Sequence, residues 1–365
     1  VTDLILFIIA MIGSVAAELL PRRTDETHGL STEDPKLIES WHQVLKEAGA
    51  EEPVILFLDG VDQLRGAPAN DQALVPRDVP KGVQLVLSTI QEDRGFLPGD
   101  SGWEETLCLG AFEPSQAQEA LRCWLEDKSR RLQDPQAAEV LGKCQQVGDG
   151  QALFIRIAAG IASRWGSSTL VSGEEPSDPN RVGEVGDISS WGDVTGILES
   201  ELGRLDKLHT SGLASQILRL AATSNRGLNE RELQRAMRAL PGFWDRFVDD
   251  QHADHRAALA KVGMVPDAVL LRVLADLQGV FLKERGGYYQ AAHRLVQEHV
   301  HRDIAKKVEA AKAIADVFRE ESWFLDSEPE SRNAADHRKV SELPYALAAA
   351  GLERELLREC LANVE

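Results

Sequence analysis

Residues 54–64 read VILFLDGVDQL, and no other stretch limits the fold of this chain so tightly. Five consecutive apolar residues between Pro53 and Gly60 form a short strand with no polar face. That pattern suits a central strand of a parallel sheet covered on both faces by helices. The run ends in Asp59, and a second carboxylate follows at Asp62. Open α/β sheets bind ligands at the carboxyl ends of their strands, the edge on which Asp59 falls. A carboxylate there can hold Mg2+ directly or through water, and a second one can orient a water or a metal ligand. The plainer alternative is a core strand capped by an Asp-containing turn, with Asp62 capping the next helix.

The neighbouring segments extend the α/β pattern. Pro35, after Asp34, opens a helix with Leu37, Ile38, Trp41, Val44 and Leu45 on one face. Residues 82–89, GVQLVLST, form a second strand-like run that ends in two hydroxyls, Ser88 and Thr89. Helix, strand, loop and strand in that order are an α/β signature. Residues 106–110 (TLCLG) are expected to add one more short strand. Pro114 then starts a helix with an apolar stripe of Ala117, Ala120, Leu121, Trp124 and Leu125, and the helical pattern continues through 134–165.

Gly, Ser, Asp and Glu dominate residues 166–196, with Pro176 and Pro179, as in a linker or insertion. Helices are expected over 197–208 and 213–223, and a third over 230–239 capped by Asn229. Leu270, Leu271, Leu274 and Leu277 mark another helix. A hairpin turning at Gly286-Gly287 follows, and His293 opens the next helix. Helices closed by a β-hairpin make a winged helix. Residues 303–365 are rich in Ala, Leu and Glu and read as a helical spacer, with Pro344 starting a pair of short helices. No period of 20 to 50 residues, the mark of a repeat array, is seen. At 365 residues the chain is long for one domain. The expected boundaries are 1–112 for the α/β part, 113–165 for a helical lid, 166–196 for the linker, 197–302 for the winged helix and 303–365 for the spacer.

A formal charge of −19 argues against a nucleic-acid surface, which needs clustered Lys and Arg. Cys108, Cys123, Cys144 and Cys360 show no CxxC spacing and read as free thiols of a reducing, cytoplasmic compartment. Residues 4–17 (LILFIIAMIGSVAA) are strongly apolar but shorter than the ~20 residues a membrane helix needs. No basic residue precedes them as in a secretory signal, so a buried strand or helix is expected. The chain opens on Val1, so it is expected to be part of a longer protein. Residues 99–102 (GDSG) match a protease nucleophile segment without the all-β context that chemistry requires, and read as a polar turn. The pairs His252 with His255 and His299 with His301 lack a third ligand at a metal-site spacing.

Taken in order, these segments resemble the STAND class of P-loop ATPases, and most closely the NACHT branch of telomerase-associated and nephrocystin-type scaffold proteins. VILFLDGVDQL resembles the Walker B strand of that branch, and GVQLVLST its sensor 1 strand. Residues 150–156 (GQALFIR) are similar to the helix start that contacts adenine, and residues 288–296 (YYQAAHRLV) to the winged-helix segment whose histidine faces the phosphates. Residues 341–347 (SELPYAL) look like the connector that precedes C-terminal repeats in such proteins.

The resemblance implies a P-loop NTPase-like partial parallel sheet, then a winged-helix domain and an α-helical C-terminal segment. It implies ATP or ADP with Mg2+ held by Asp59, water or the metal shell positioned by Asp62, and the terminal phosphate sensed by Ser88 or Thr89. Ala152 and Leu153 would lie beside adenine. His293 would reach the phosphates and lock the domains together while nucleotide is bound. The implied function is an ATP-dependent regulatory switch and scaffold, at most a slow ATPase. Its partners would be other proteins bound through repeats beyond this chain, with possible nucleotide-dependent self-association. Three features depart from the family pattern. No G-x-x-x-x-G-K-[ST] loop occurs in the chain. Ala152 stands where the family has Pro, and Gln63 where many members carry an acid. The rival reading is a nucleotide-free interaction scaffold that keeps the fold.

Overall fold

The computed structural model describes residues 35–51, 53–59, 79–88, 107–148, 150–166, 188, 190–320 and 337–361. The chain divides into two compact units, Val1–Leu109 and Gly110–Glu365. It is mostly helical, with one small parallel sheet and one antiparallel hairpin among the described residues.

In the first unit, helix α1 (Pro35–Glu51) precedes strands β1 (Val54–Leu58) and β2 (Val83–Leu87). The strands pair in parallel, from Val54 opposite Val83 to Leu58 opposite Leu87. Their β-branched and leucine content suits the pleat. Leu56 and Leu58 point to a buried face, whereas Ile55 is 58% and Phe57 71% exposed. Side chains alternate across a strand, and among the described residues one of its two faces is packed, where a strand covered on both was expected. The strand expected over 106–110 is also not seen: residues 107–110 are irregular. The apolar segment 4–17 lies outside the described residues. Among those described, no helix is long and apolar enough to cross a membrane.

The second unit is built on one hydrophobic core. Helices α2 (Pro114–Glu126), α3 (Asp134–Gln146) and α4 (Ala152–Ala162) open it. Pro114 occupies the first turn of α2, where its missing N–H costs nothing, and Ala117, Leu121 and Leu125 form the buried stripe. The residues from Ile157 to Ala162 are all buried, so α4 runs through the interior. Helices α5 (Val194–Leu208) and α6 (Leu213–Thr223) follow, and then α7 (Glu230–Ala239). Asn229 starts α7 through a reciprocal capping box: its side chain accepts the Glu232 N–H at 2.9 Å, and the Glu232 carboxylate accepts the Asn229 N–H at 2.9 Å. Helices α8 (Phe243–Asp249), α9 (Ala253–Val262) and α10 (Asp267–Leu277) lead to the hairpin β3 (Leu282–Arg285) and β4 (Tyr288–Ala291). The hairpin turns on Gly286 and Gly287, both with positive φ, as a two-residue turn requires.

Helices α11 (Arg294–Val300), α12 (Ile304–Arg319), α13 (His337–Ala349) and α14 (Glu353–Leu356) complete the unit. Ile314, Phe318, Leu343 and Leu347 of the expected spacer belong to the same core as α4 and α6. Pro344 does not start a helix: it lies inside α13. Packing of Leu343, Ala346 and Leu347 holds the helix together across it.

Candidate functional site

Two places gather the residue types that the sequence singles out, one in each unit. At the carboxyl edge of the parallel pair, Leu58 and Leu87 are directly opposite, so Asp59 and Ser88 emerge side by side. The Ser88 hydroxyl donates to Asp59 Oδ1, and the Ser88 N–H donates to the Leu58 carbonyl at 3.0 Å. Both side chains are exposed. Asp62 and Thr89 lie outside the described residues.

In the second unit a cleft of about 530 Å3 opens between the start of α4, the β3–β4 hairpin and the start of α11. That volume lies in the range of small-molecule sites. Leu153, Ile157, Leu198, Val280, Leu282 and Val296 give it apolar walls, and its polar groups include Arg156, Gln278, Lys283, Glu284 and His293. Gly150 positions the α4 side. Its φ of +65° turns the chain into the helix, its carbonyl accepts the Phe112 N–H at 2.8 Å, and a Cβ there would stand 2.8 Å from the Phe112 carbonyl oxygen. Ala152 is then the exposed first residue of α4, while Leu153 and, one turn on, Arg156 and Ile157 face the cleft.

On the opposite side, the Ala292 N–H donates to the Phe281 carbonyl at 2.8 Å and pins the exit of the hairpin. His293 caps α11, its Nδ1 accepting the Leu295 N–H at 3.1 Å. Partial burial holds its pKa below the ordinary histidine value, with the neighbouring Arg294 and Lys283 cations acting the same way and Glu298 opposing them. With Nδ1 accepting, the neutral ring carries its proton on Nε2, which makes that nitrogen a hydrogen-bond donor. The histidine is thus both a helix cap and a cleft residue.

The structure therefore brings Asp59 together with Ser88, and Leu153 together with His293. Ala152 does not line the cleft. Sequence reasoning passed over the cleft cations Arg156 and Lys283. Arg156 carried a signal, since it lies three residues after Leu153 in the quoted stretch and so on the same helix face. Lys283 carried none, because its position depends on hairpin register. The other motifs assemble no site. Among the described residues, no group of three or more His, Cys, Asp or Glu side chains could hold a metal. His252 and His255 are exposed, and His252 pairs with Asp254 at 3.3 Å. His301 Nε2 contacts Thr223 Oγ1 at 3.1 Å, whereas His299 Nδ1 faces Glu199 at 3.7 Å. The GDSG segment lies outside the described residues. The four cysteines are free thiols, and burial pushes the Cys144 thiol up to about 12.

Fold and cleft define a predominantly helical protein with a small parallel sheet and a cavity of ligand size. The chain matches no protein-family model, and no curated protein sequence matches it.

Proposed function

We propose that this chain is a STAND-type regulatory switch and scaffold module of the NACHT branch that binds ATP or ADP in the α4–hairpin–α11 cleft. The observation that carries the reading is the meeting of Leu153 and His293 in one cavity. These residues lie about 140 positions apart in sequence, and the family resemblance implies adenine-side and phosphate-side roles for them. Apolar walls suit a base, and a neutral His293 with its proton on Nε2 suits a phosphate oxygen. For Asp59, in the first unit, the family resemblance implies Mg2+, an ion that takes one or two carboxylates and completes its shell with water. When bound, Mg2+ would neutralise phosphate charge.

Nucleotide then acts as a ligand that favours the closed arrangement of α4 against the hairpin and α11, and its loss opens that cleft for partner assembly. The winged-helix and P-loop-type assignments, the cytoplasmic location and a slow ATPase at most all belong to this proposal. Titration calorimetry of the full chain with Mg-ATP and Mg-ADP tests it. Binding that weakens about tenfold or more in His293→Ala is expected. Equal affinities in wild type and variant would sink the assignment. A second reading, a nucleotide-free scaffold, draws on the lack of a G-x-x-x-x-G-K-[ST] loop among the 365 residues, and an absence of heat with either nucleotide would favour it.

A further inference from the structure

In a chain of formal charge −19, positive charge collects around one cleft. Arg156 and Lys283 line it, and the Lys128 ammonium lies against Gly279 on its wall, 3.0 Å from where a Cβ would stand. Among the described residues none of the three has a carboxylate partner. Arg156 lies over the Trp124 ring at 5.1 Å, and Lys128 donates to the Ser163 hydroxyl at 3.4 Å. Burial lowers the Lys128 pKa first, and the charges of Arg164 and Arg156 lower it further. Arg164 is compensated by Glu201 at 3.4 Å and the Gln278 carbonyl at 2.7 Å. The one carboxylate lining the cleft, Glu284, is engaged at Oε1 by the Gly287 N–H at 2.8 Å. Three cations in and beside the cleft against the single lining carboxylate leave net positive charge there, which an anion would offset.

We infer that Arg156, Lys283 and Lys128 form a phosphate-binding set within the cleft, so that this unit meets the charge of a polyphosphate ligand with its own side chains. The inference deepens the nucleotide reading and rests on it. Arg156 comes from α4, Lys283 from β3 and Lys128 from the turn after α2, so an anion held by all three clamps those elements together. Arg156 can present two parallel donors to a phosphate, whereas the lysines act as point charges. Arg156 and Lys283 are long side chains on different walls of one cleft.

The test is calorimetry of the full chain with ATP at two ionic strengths, for wild type, Arg156→Gln, Lys283→Gln and Lys283→Arg. Arg156 and Lys283 are exposed outside the core, and matching thermal melts check that each variant is folded. Each glutamine variant is expected to weaken ATP binding about tenfold and to flatten its salt dependence, with Lys283→Arg largely restoring it. If wild type binds ATP and both glutamine variants bind it equally well, the cation assignment falls while the nucleotide reading stands. If wild type binds no ATP, both fall.

Discussion

Histidines show most directly how a local environment becomes a property of this protein. His301 is partly buried beside Thr223, and burial, with Lys307 adding to it, brings its pKa from 6.5 down to about 4. A folded-state pKa below the unfolded value means that the unfolded chain binds the proton more tightly. This contribution to stability is therefore complete above about pH 6.5 and is lost as pH falls towards 4. Burial lowers His293 and His299 as well, so they act in the same direction. Urea unfolding at pH 7 and pH 5 should show a loss attributable to His301 of about 1 kcal/mol after allowance for its partial exposure. In His301→Gln the difference between the two pH values should shrink by that amount, and an unchanged difference would remove His301 as the cause. At the same scale, the candidate site was only partly readable. Asp59, Ser88, Leu153 and His293 stood in recognisable local patterns. Lys128 and Lys283 did not, because whether a cation has a carboxylate partner depends on elements distant in the chain.

Among the elements, α4 depends most on how it begins. Gly150 supplies a positive φ that side chains rarely adopt, and its surroundings leave no room for a Cβ. Gly150→Ala should cost about 1–3 kcal/mol. Gly142 provides the contrast, for it lies inside α3 with nothing within 4 Å of a Cβ. Gly142→Ala should stabilise by about 0.5–1 kcal/mol, since the gain in helix propensity meets no clash. Thermal denaturation of the two single variants checks both signs, and matching shifts would overturn the account of the α4 start. Elements with strong local signals were legible: Pro114 at a first turn, Asn229 as a helix cap, and Gly286-Gly287 as a hairpin turn. Residues 107–110 failed because a short apolar run lacks a partner strand among the described residues. Pro344 failed because packing of Leu343 and Leu347 outweighs its local preference to begin a helix.

At the scale of the molecule, α13 is tied into the second unit by a polar cluster as well as by its share of the core. Arg338 on α13 donates from Nε and Nη2 to both oxygens of Glu232 on α7, at 3.0 and 2.7 Å, and from Nη2 to the Gly227 carbonyl at 2.8 Å. Its guanidinium also lies 4.4 Å from the Tyr288 ring centre on β4. Glu342, fully buried one turn further along α13, accepts from Arg338 Nη1 at 3.1 Å and from the N–H groups of Asn225 and Arg226 at 2.9 and 2.7 Å. Burial raises the Glu342 pKa against the pull of those donors. Arg338→Met would leave two carboxylates without their cation and should cost about 3–5 kcal/mol, read as a lower urea midpoint at pH 7. A change below about 1 kcal/mol would show that the cluster does not help to anchor α13. What the sequence determined alone is the set of elements whose causes are local: the apolar strand running into Asp59, the capped helices and the Gly-Gly hairpin. Only the tertiary structure decided which face of β1 packs, that residues within 304–319 and 337–349 join the core, and that Leu153, Arg156, Lys283 and His293 share a cleft. Those outcomes depend on which faces pack and which charges lose their partners, and both are set by contacts between residues distant in the chain.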